Sequence, residues 1–452
     1  MYQLIPRNQK NMKNHNSFTL SHGESSEKPE ASCKQDEEYS TEVTEEDIAN
    51  GWKDEYGVVY STDRKRLLKA PKYIKKYSVL PGTKVIGDRA FYNCSSLKSI
   101  HLPEGIKSIG NSAFNNCSSL KSIQLPEGIK SIENSAFREC SSLKSIQLPE
   151  GIKSIGNSAF RECSSLTYIQ LPDGIKSIGN VAFARCSSLT SILLPDGIKS
   201  IGNGAFLECH SFTSIKLPEG INSIGYAAFA ICNSLASIQL PEGINSIGDC
   251  AFYDCGSLSS IELPNSLVNI GANPFASCSN LNIISHSVRF KIINSLLIDC
   301  ESSTIISCLN KDKDIIVPNG ILHIGDWAFE GCSFLTSIQL PEGIKSIGNS
   351  AFRDCESLTS ILLPEGINSI GDQAFSECSS LTSIRLPEGI NSIGDNAFSE
   401  CNSLTSIRLP EGIKSIGNLA FNCISLKSVE LPASIESIGK YAFPYGCKLI
   451  RK

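Results

Sequence analysis

Residues 125–170 read LPEGIKSIENSAFRECSSLKSIQ followed by LPEGIKSIGNSAFRECSSLTYIQ. The two 23-residue units differ at three positions: Glu133 against Gly156, Lys144 against Thr167, and Ser145 against Tyr168. So long a match in tandem is a repeat, and a repeat decides architecture before secondary structure is read. Working outward, the Leu-Pro pair recurs with its Leu at 80, 102, 125, 148, 171, 194, 217, 240 and 263. It restarts as Val317-Pro318 and continues with Leu at 340, 363, 386, 409 and 431. One unit holds too few apolar side chains to offset the entropy of ordering it, so the units must stack and share a core.

The order of residues within a unit shows how it turns. In Ser99-Ile100-His101-Leu102, Ile100 and Leu102 alternate with outward Ser99 and His101, a short strand that Pro103 ends. Gly105 turns the chain, Ile106 to Ile109 forms a second extended segment, and Asn111 is placed to cap a brief helical turn. Ala113, Phe114 and Cys117 then fall at helical spacing and face inward. The fold class expected is an α/β solenoid: a curved right-handed stack of 23-residue coils with a parallel sheet and short helical turns. A period of 23 lies within the range of leucine-rich repeats.

The unit resembles the BspA-like leucine-rich repeat family, whose pattern appears here from Ile152-Lys-Ser-Ile155-Gly156 through Ala159-Phe160 and Cys163 to Leu171-Pro172. The resemblance runs from near residue 80 to the end of the sequence. It implies a non-catalytic solenoid used for adhesion and protein–protein contact, commonly at the cell surface of bacteria and some protists.

Departures from the repeat divide the chain. Residues 1–50 are an acidic tail, expected to be disordered, with ten acidic residues between Glu24 and Asp47 against Lys28 and Lys34. Residues 51–79 carry an apolar–polar–apolar hairpin pattern and form a cap; 80–278 are a first repeat block, 279–316 a hairpin-containing insertion, and 317–452 a second block. No apolar run is long enough for a secretory signal, a membrane span or a hydrophobic anchor. The location therefore stays open between the cell surface or secretion, which the resemblance implies, and the cytoplasm.

Chemistry is sought next among the 19 cysteines and 6 histidines. Cys94, Cys117, Cys140, Cys163, Cys186, Cys209, Cys232, Cys255 and Cys278 step by 23, as do Cys332, Cys355, Cys378 and Cys401, with Cys423 following at 22. That spacing makes them a structural column of inward thiols, set too far apart for relaxed disulfides. Off-column Cys33, Cys250, Cys300 and Cys308 are the ones placed to react or pair. No Cys-x-x-Cys exists, and His210 beside Cys209 sits on a turn, so no metal, cofactor or catalytic residue is assigned. Asn93-Cys94-Ser95 and Asn116-Cys117-Ser118 match the glycosylation pattern but straddle column cysteines.

Function is left to the outward strand positions. One is nearly always Ser, with Tyr168 the exception; the other varies through Gln124, Gln147, Gln170, Lys216, Gln339, Arg385 and Arg408. This polar, shallow face suits a protein (a host or extracellular-matrix protein, for example) or an extended glycan rather than a small molecule. Tyr168, Arg385 and Arg408 are the candidate anchors. A net charge of −5 gives no footprint for nucleic acid, and a monomer is expected. The alternative is an intracellular scaffold, consistent with many reduced thiols. Two further columns, Lys107, Lys130, Lys153, Lys176, Lys199 and Glu104, Glu127, Glu150, Asp173, Asp196, read as a salt-bridged solvent face. Glu133 replaces a repeated Gly and marks a weak point if that step needs positive φ.

Overall fold

The computed structural model describes residues 39–451 apart from 279 and 310. Successive coils stack in register as a β-solenoid. Two strand positions recur in each coil. Segments such as Tyr168–Gln170 pair in parallel with Ser145–Gln147 on one side and Ser191–Leu193 on the other, residue for residue at a 23-residue offset. The Ser-Ile segments (Ser131–Ile132, Ser154–Ile155 and their successors) form the more continuous ladder, with a run of seven strands in the first block and of six in the second, the latter continuing a three-stranded hairpin sheet. The face carrying Tyr168 is split into shorter sheets of two to four strands.

The core is built of columns. Phe91, Phe114, Phe137, Phe160, Phe183, Phe206, Phe229, Phe252 and Phe275 stack nearly parallel, with ring centroids 5.1–5.6 Å apart. A second column runs from Phe329 to Phe443 at 4.9–5.6 Å. Inward Leu, Ile, Ala and Cys flank each ring, and almost all are fully buried.

The segment expected to be a helical turn is instead a run of β-turns. Ser112 and Asn116 have φ of 55° and 58°, and equivalent residues in most other coils are left-handed too. The N–H groups alternate in use: Ala113 and Asn115 bond three residues back to Gly110 and Ser112, whereas Ser112, Phe114 and Asn116 donate to Asn134, Ala136 and Arg138 of the next coil. A helix would turn all these donors inward to its own chain, and the coils would lose a third inter-coil ladder. Among the described residues the one α-helix is Glu45–Asn50, closed by a reciprocal cap between Thr44 and Asp47. It lies within the stretch expected to be a disordered tail, and Thr41 O accepts from Asp88 N of the first coil. Residues 1–38 of that tail lie outside the described residues.

Both hairpins form. Trp52–Lys53, Val59–Tyr60 and Arg66–Lys69 make an antiparallel cap whose last strand pairs in parallel with Val85–Ile86. Inside it, Tyr60 and Tyr77 hydroxyls lie 2.6 Å apart and Tyr77 donates to Asp54. The later hairpin, Leu296–Asp299 and Thr304–Cys308, divides the interior. Leu297 and Ile306 pack into the first core, while Leu296, Ile298 and Ile305 pack into the second.

The repeated glycine of the Ser-Ile-Gly step is not at positive φ, which corrects the reason expected for it. It is there because coils touch: a Cβ on Gly179 would lie 2.6 Å from the carbonyl carbon of Gly156 and 2.7 Å from Asn157 N. Where Glu133 stands instead, the Ser-Ile sheet stops, with Ser108–Ile109 ending one sheet and Ser131–Ile132 beginning the next. The inter-coil ladder has a gap at this coil, and close approach rather than backbone φ accounts for it.

Candidate functional site

The strands that carry the outward face read exposed–buried–exposed, because a period of two turns alternate side chains away from a one-sided core. Tyr168, Gln124, Gln147, Gln170, Lys216, Gln339, Arg385 and Arg408 are all exposed. Register brings neighbours together. Tyr168 stands between Ser145 and Ser191, Gln170 between Gln147 and Leu193, and Lys216 beside Gln239. Gln124 reaches its row through one isolated bridge to Gln147. Gln339 pairs with Ile316, and Arg385 with Leu362.

Arg408 departs from the expectation that it stacks on Arg385 within the sheet, because no strand forms over residues 404–410. Each arginine instead leans toward a carboxylate of the preceding coil: Arg385 to Glu365 at 3.6 Å and Arg408 to Glu388 at 3.4 Å. Both pairs are exposed and hold the side chains weakly, leaving them available to a partner.

The face is also more apolar than its sequence positions suggest. Tyr168 is 47% exposed and Leu193, in the next coil, 61%; Ile316 and Leu362 stand out at 62% and 67%. Leu193 and Leu362 occupy the variable column, so that column carried the signal. A groove of about 610 Å³ on the same face is lined by Lys216, Gln239, Glu242, Glu262 and His286. His286 Nε2 lies 3.6 Å from Glu262.

The thiol column has a specific geometry. From Cys117 onward nearly every column Sγ donates to a phenylalanine carbonyl of the preceding coil, as Cys117 does to Phe91 and Cys163 to Phe137, at 3.2 and 3.1 Å, while Cys94 at the start of the stack donates to Pro71 O. Phe91 O already accepts from Cys94 N, so the thiol fills the second lone pair of a buried carbonyl. Burial pushes the Cys140, Cys186 and Cys232 thiols up to about 12, and raises the Cys163 thiol well above its ordinary value too. Cys332 departs from the inward, buried position expected of it and is half-buried. The residue 26 before it is Ile306, whose carbonyl accepts from Asn273 N, and Cys332 meets Cys308 instead. The four off-column cysteines separate as well. Cys300 is exposed, Cys250 is partly buried with its thiol pushed up to about 12, Cys308 is partly buried, and Cys33 lies outside the described residues.

The expected salt-bridged face is not formed. Among the described residues no ion pair joins the Lys107–Lys199 column to the Glu104–Asp196 column. Their side chains lie along the next coil instead; Lys130 Nζ, for example, sits over Gly151. The networked ion pairs fall on the turn face, where Arg185 bridges Glu162 and Glu208 and Arg353 bridges Glu330 and Glu377. No cluster of three or more metal-ligating side chains occurs among the described residues.

Stacked 23-residue coils, a parallel outward face and an Ile/Leu/Phe core define a leucine-rich repeat solenoid. Residues 84–212, 199–315, 307–421 and 347–451 each match the BspA type leucine rich repeat region, and the chain belongs to that family. It is similar to a leucine-rich repeat protein from Bacteroides ovatus, at 31% identity over 89% of this chain and 97% of that one, with a TM-score of 0.51. It is also similar to a leucine rich cell surface protein from Faecalibacterium prausnitzii, at 27% identity over 84% and 94% of the two chains, with a TM-score of 0.55. No curated protein matches the chain.

Proposed function

We propose that the protein is a non-enzymatic adhesin or partner-contact protein that binds a protein or extended glycan along its outward strand face, at the cell surface. The observation that carries this reading is the exposed Tyr168–Leu193 pair on in-register strands, large apolar groups held by a rigid scaffold with no internal partner to cover them. Arg385 and Arg408 extend the same face in the second block, with Gln124, Gln147, Gln170, Lys216 and Gln339 as its polar surround. The cell-surface description of the similar Faecalibacterium protein supports the location. The exposed Cys300 thiol favours the second reading, an intracellular scaffold.

Two measurements test this. Protease treatment of intact cells should remove the protein; protection would favour the scaffold. Binding of purified protein to an array of extracellular-matrix proteins and glycans should fall about tenfold or more in Tyr168→Ser/Leu193→Ser and in Arg385→Ser/Arg408→Ser. Unchanged binding by both variants would reject the face.

A further inference from the structure

Immediately before each outward strand stands a position whose residues form a column through backbone bonds. Lys98 N donates to Lys75 O, Lys121 N to Lys98 O, Lys144 N to Lys121 O, and Thr167 N to Lys144 O. The first four members are lysines, and all four are exposed. In later coils the position is most often Thr, with Ala236, Ser259, Lys313 and Lys427 as departures, and the Thr hydroxyl ties the coils together: Thr167, Thr190 and Thr213 donate to the carbonyls of Lys144, Thr167 and Thr190 at 3.3–3.4 Å. Thr336, Thr359 and Thr382 repeat the arrangement in the second block at 3.0–3.4 Å. Lysine forfeits that bond and places like charges one coil apart; the phenylalanine rings of these coils are 5.1 and 5.4 Å apart. A stack that breaks the local rule of its own repeat, with no internal compensation, points to a ligand.

Internal compensation is indeed missing. None of the four lysines forms an ion pair among the described residues, and segments 71–79, 93–103, 116–126 and 140–149 contain no Asp or Glu. They add Lys72, Lys76 and His101 to the positive charge, and their remaining exposed groups are mostly hydroxyls and amides, such as Ser99, Ser122, Gln124 and Gln147.

We infer that Lys75, Lys98, Lys121 and Lys144 form a binding strip for a linear anionic polysaccharide, one bearing sulfate or carboxylate groups on successive sugars. The inference rests on the outward face being a contact surface and narrows its partner at the N-terminal end. One coil step is of the order of one sugar unit, so a polymer laid along the solenoid axis meets a new ammonium at each step. Ser hydroxyls and Gln amides beside the lysines suit sugar hydroxyls. The strands Ser99–His101 and Ser145–Gln147 and the segment between them present a single ring, His101, in place of the row of stacking aromatics that binders of single-stranded nucleic acid use.

The test is calorimetry and salt-gradient elution with a heparin-derived oligosaccharide and the whole chain. Lys98→Thr/Lys121→Thr should weaken binding about tenfold or more and lower the slope of log Kd against log salt by about two. Its melting temperature should hold or rise, since Thr is the resident residue in the later coils. Lys153→Ser/Lys176→Ser, in the column flanked by acids, should leave binding unchanged. Equal binding by Lys98→Thr/Lys121→Thr, equal loss in the control, or tighter binding to a single-stranded oligonucleotide or to phosphatidylserine vesicles would each overturn the inference. Heparin affinity that survives these changes but is lost in Arg385→Ser/Arg408→Ser would reject the lysine strip and leave the wider contact face standing.

Discussion

Replacing Glu133 with Gly should stabilise the solenoid. In most other coils the residue at this step donates to the preceding coil, as Gly156 N does to Ile132 O and Gly179 N to Ile155 O. The next residue adds a second rung, as Asn157 N does to Asn134 Oδ1. Neither rung is present at Glu133, and the Lys-to-Lys backbone bond that joins Lys107 to Lys84 and Lys153 to Lys130 is missing between Lys130 and Lys107. Restoring two inter-coil hydrogen bonds contributes about 1–3 kcal/mol. Glycine's extra freedom in the unfolded chain offsets roughly 0.5–1 kcal/mol of that, and the Glu133 contact to Ser131 is lost as well. A net gain of about 1 kcal/mol is expected, read as a shift in urea midpoint without a change in slope. Coils interact with their nearest neighbours, so hydrogen exchange should slow mainly between residues 107 and 134. Gly179→Glu should do the reverse and open a new gap. A destabilised Glu133→Gly, or unchanged exchange across those residues, would refute close approach as the reason for the repeated glycine.

Under native conditions at pH 8 iodoacetamide should modify Cys300 readily and leave Cys163 and Cys186 intact. A thiol pushed up to about 12 is thiolate in only about one molecule in ten thousand at that pH, and both column sulfurs are fully buried. Peptide mapping that finds Cys163 labelled as fast as Cys300 would sink the column geometry. Burial raises the Glu330 carboxyl to about 7, with Asp354 and Glu377 adding to the shift and Arg353 opposing it; Cys250, Tyr226 and Tyr253 face it from the first block. The folded state thus holds a proton between about pH 4.5 and 7 that the unfolded chain has released, so stability should fall as pH rises through that window. The loss is at most about 3 kcal/mol. Glu330→Gln should flatten this part of the profile in urea titrations at pH 5 and 8, and equal slopes in the two proteins would contradict the assignment.

The repeat, its register and its inward columns are legible in the sequence because identical units can stack in only one register that keeps every Phe and Leu inside. Outward Tyr168 and Arg385 follow from the same alternation. The turn run is not legible, since inward Ala113, Phe114 and Cys117 satisfy a helix and a series of turns equally. Donor sharing with the next coil decides between them, and it is a property of the stack. For the same reason the repeated glycine can be read as a φ requirement until the neighbouring coil is in place. The expected Lys–Glu bridges failed on direction: side chains three residues apart around a turn reach along the coil axis instead of toward each other. The lysine strip is visible only once the threonines at the same position are seen to bond between coils.

The strand Leu296–Asp299 works as a common wall. Leu297 looks into one interior and Leu296 and Ile298 into the other, so the two stacks are joined through packed side chains on both faces of a single ribbon. A pull along the long axis would cross that wall without meeting a slack tether.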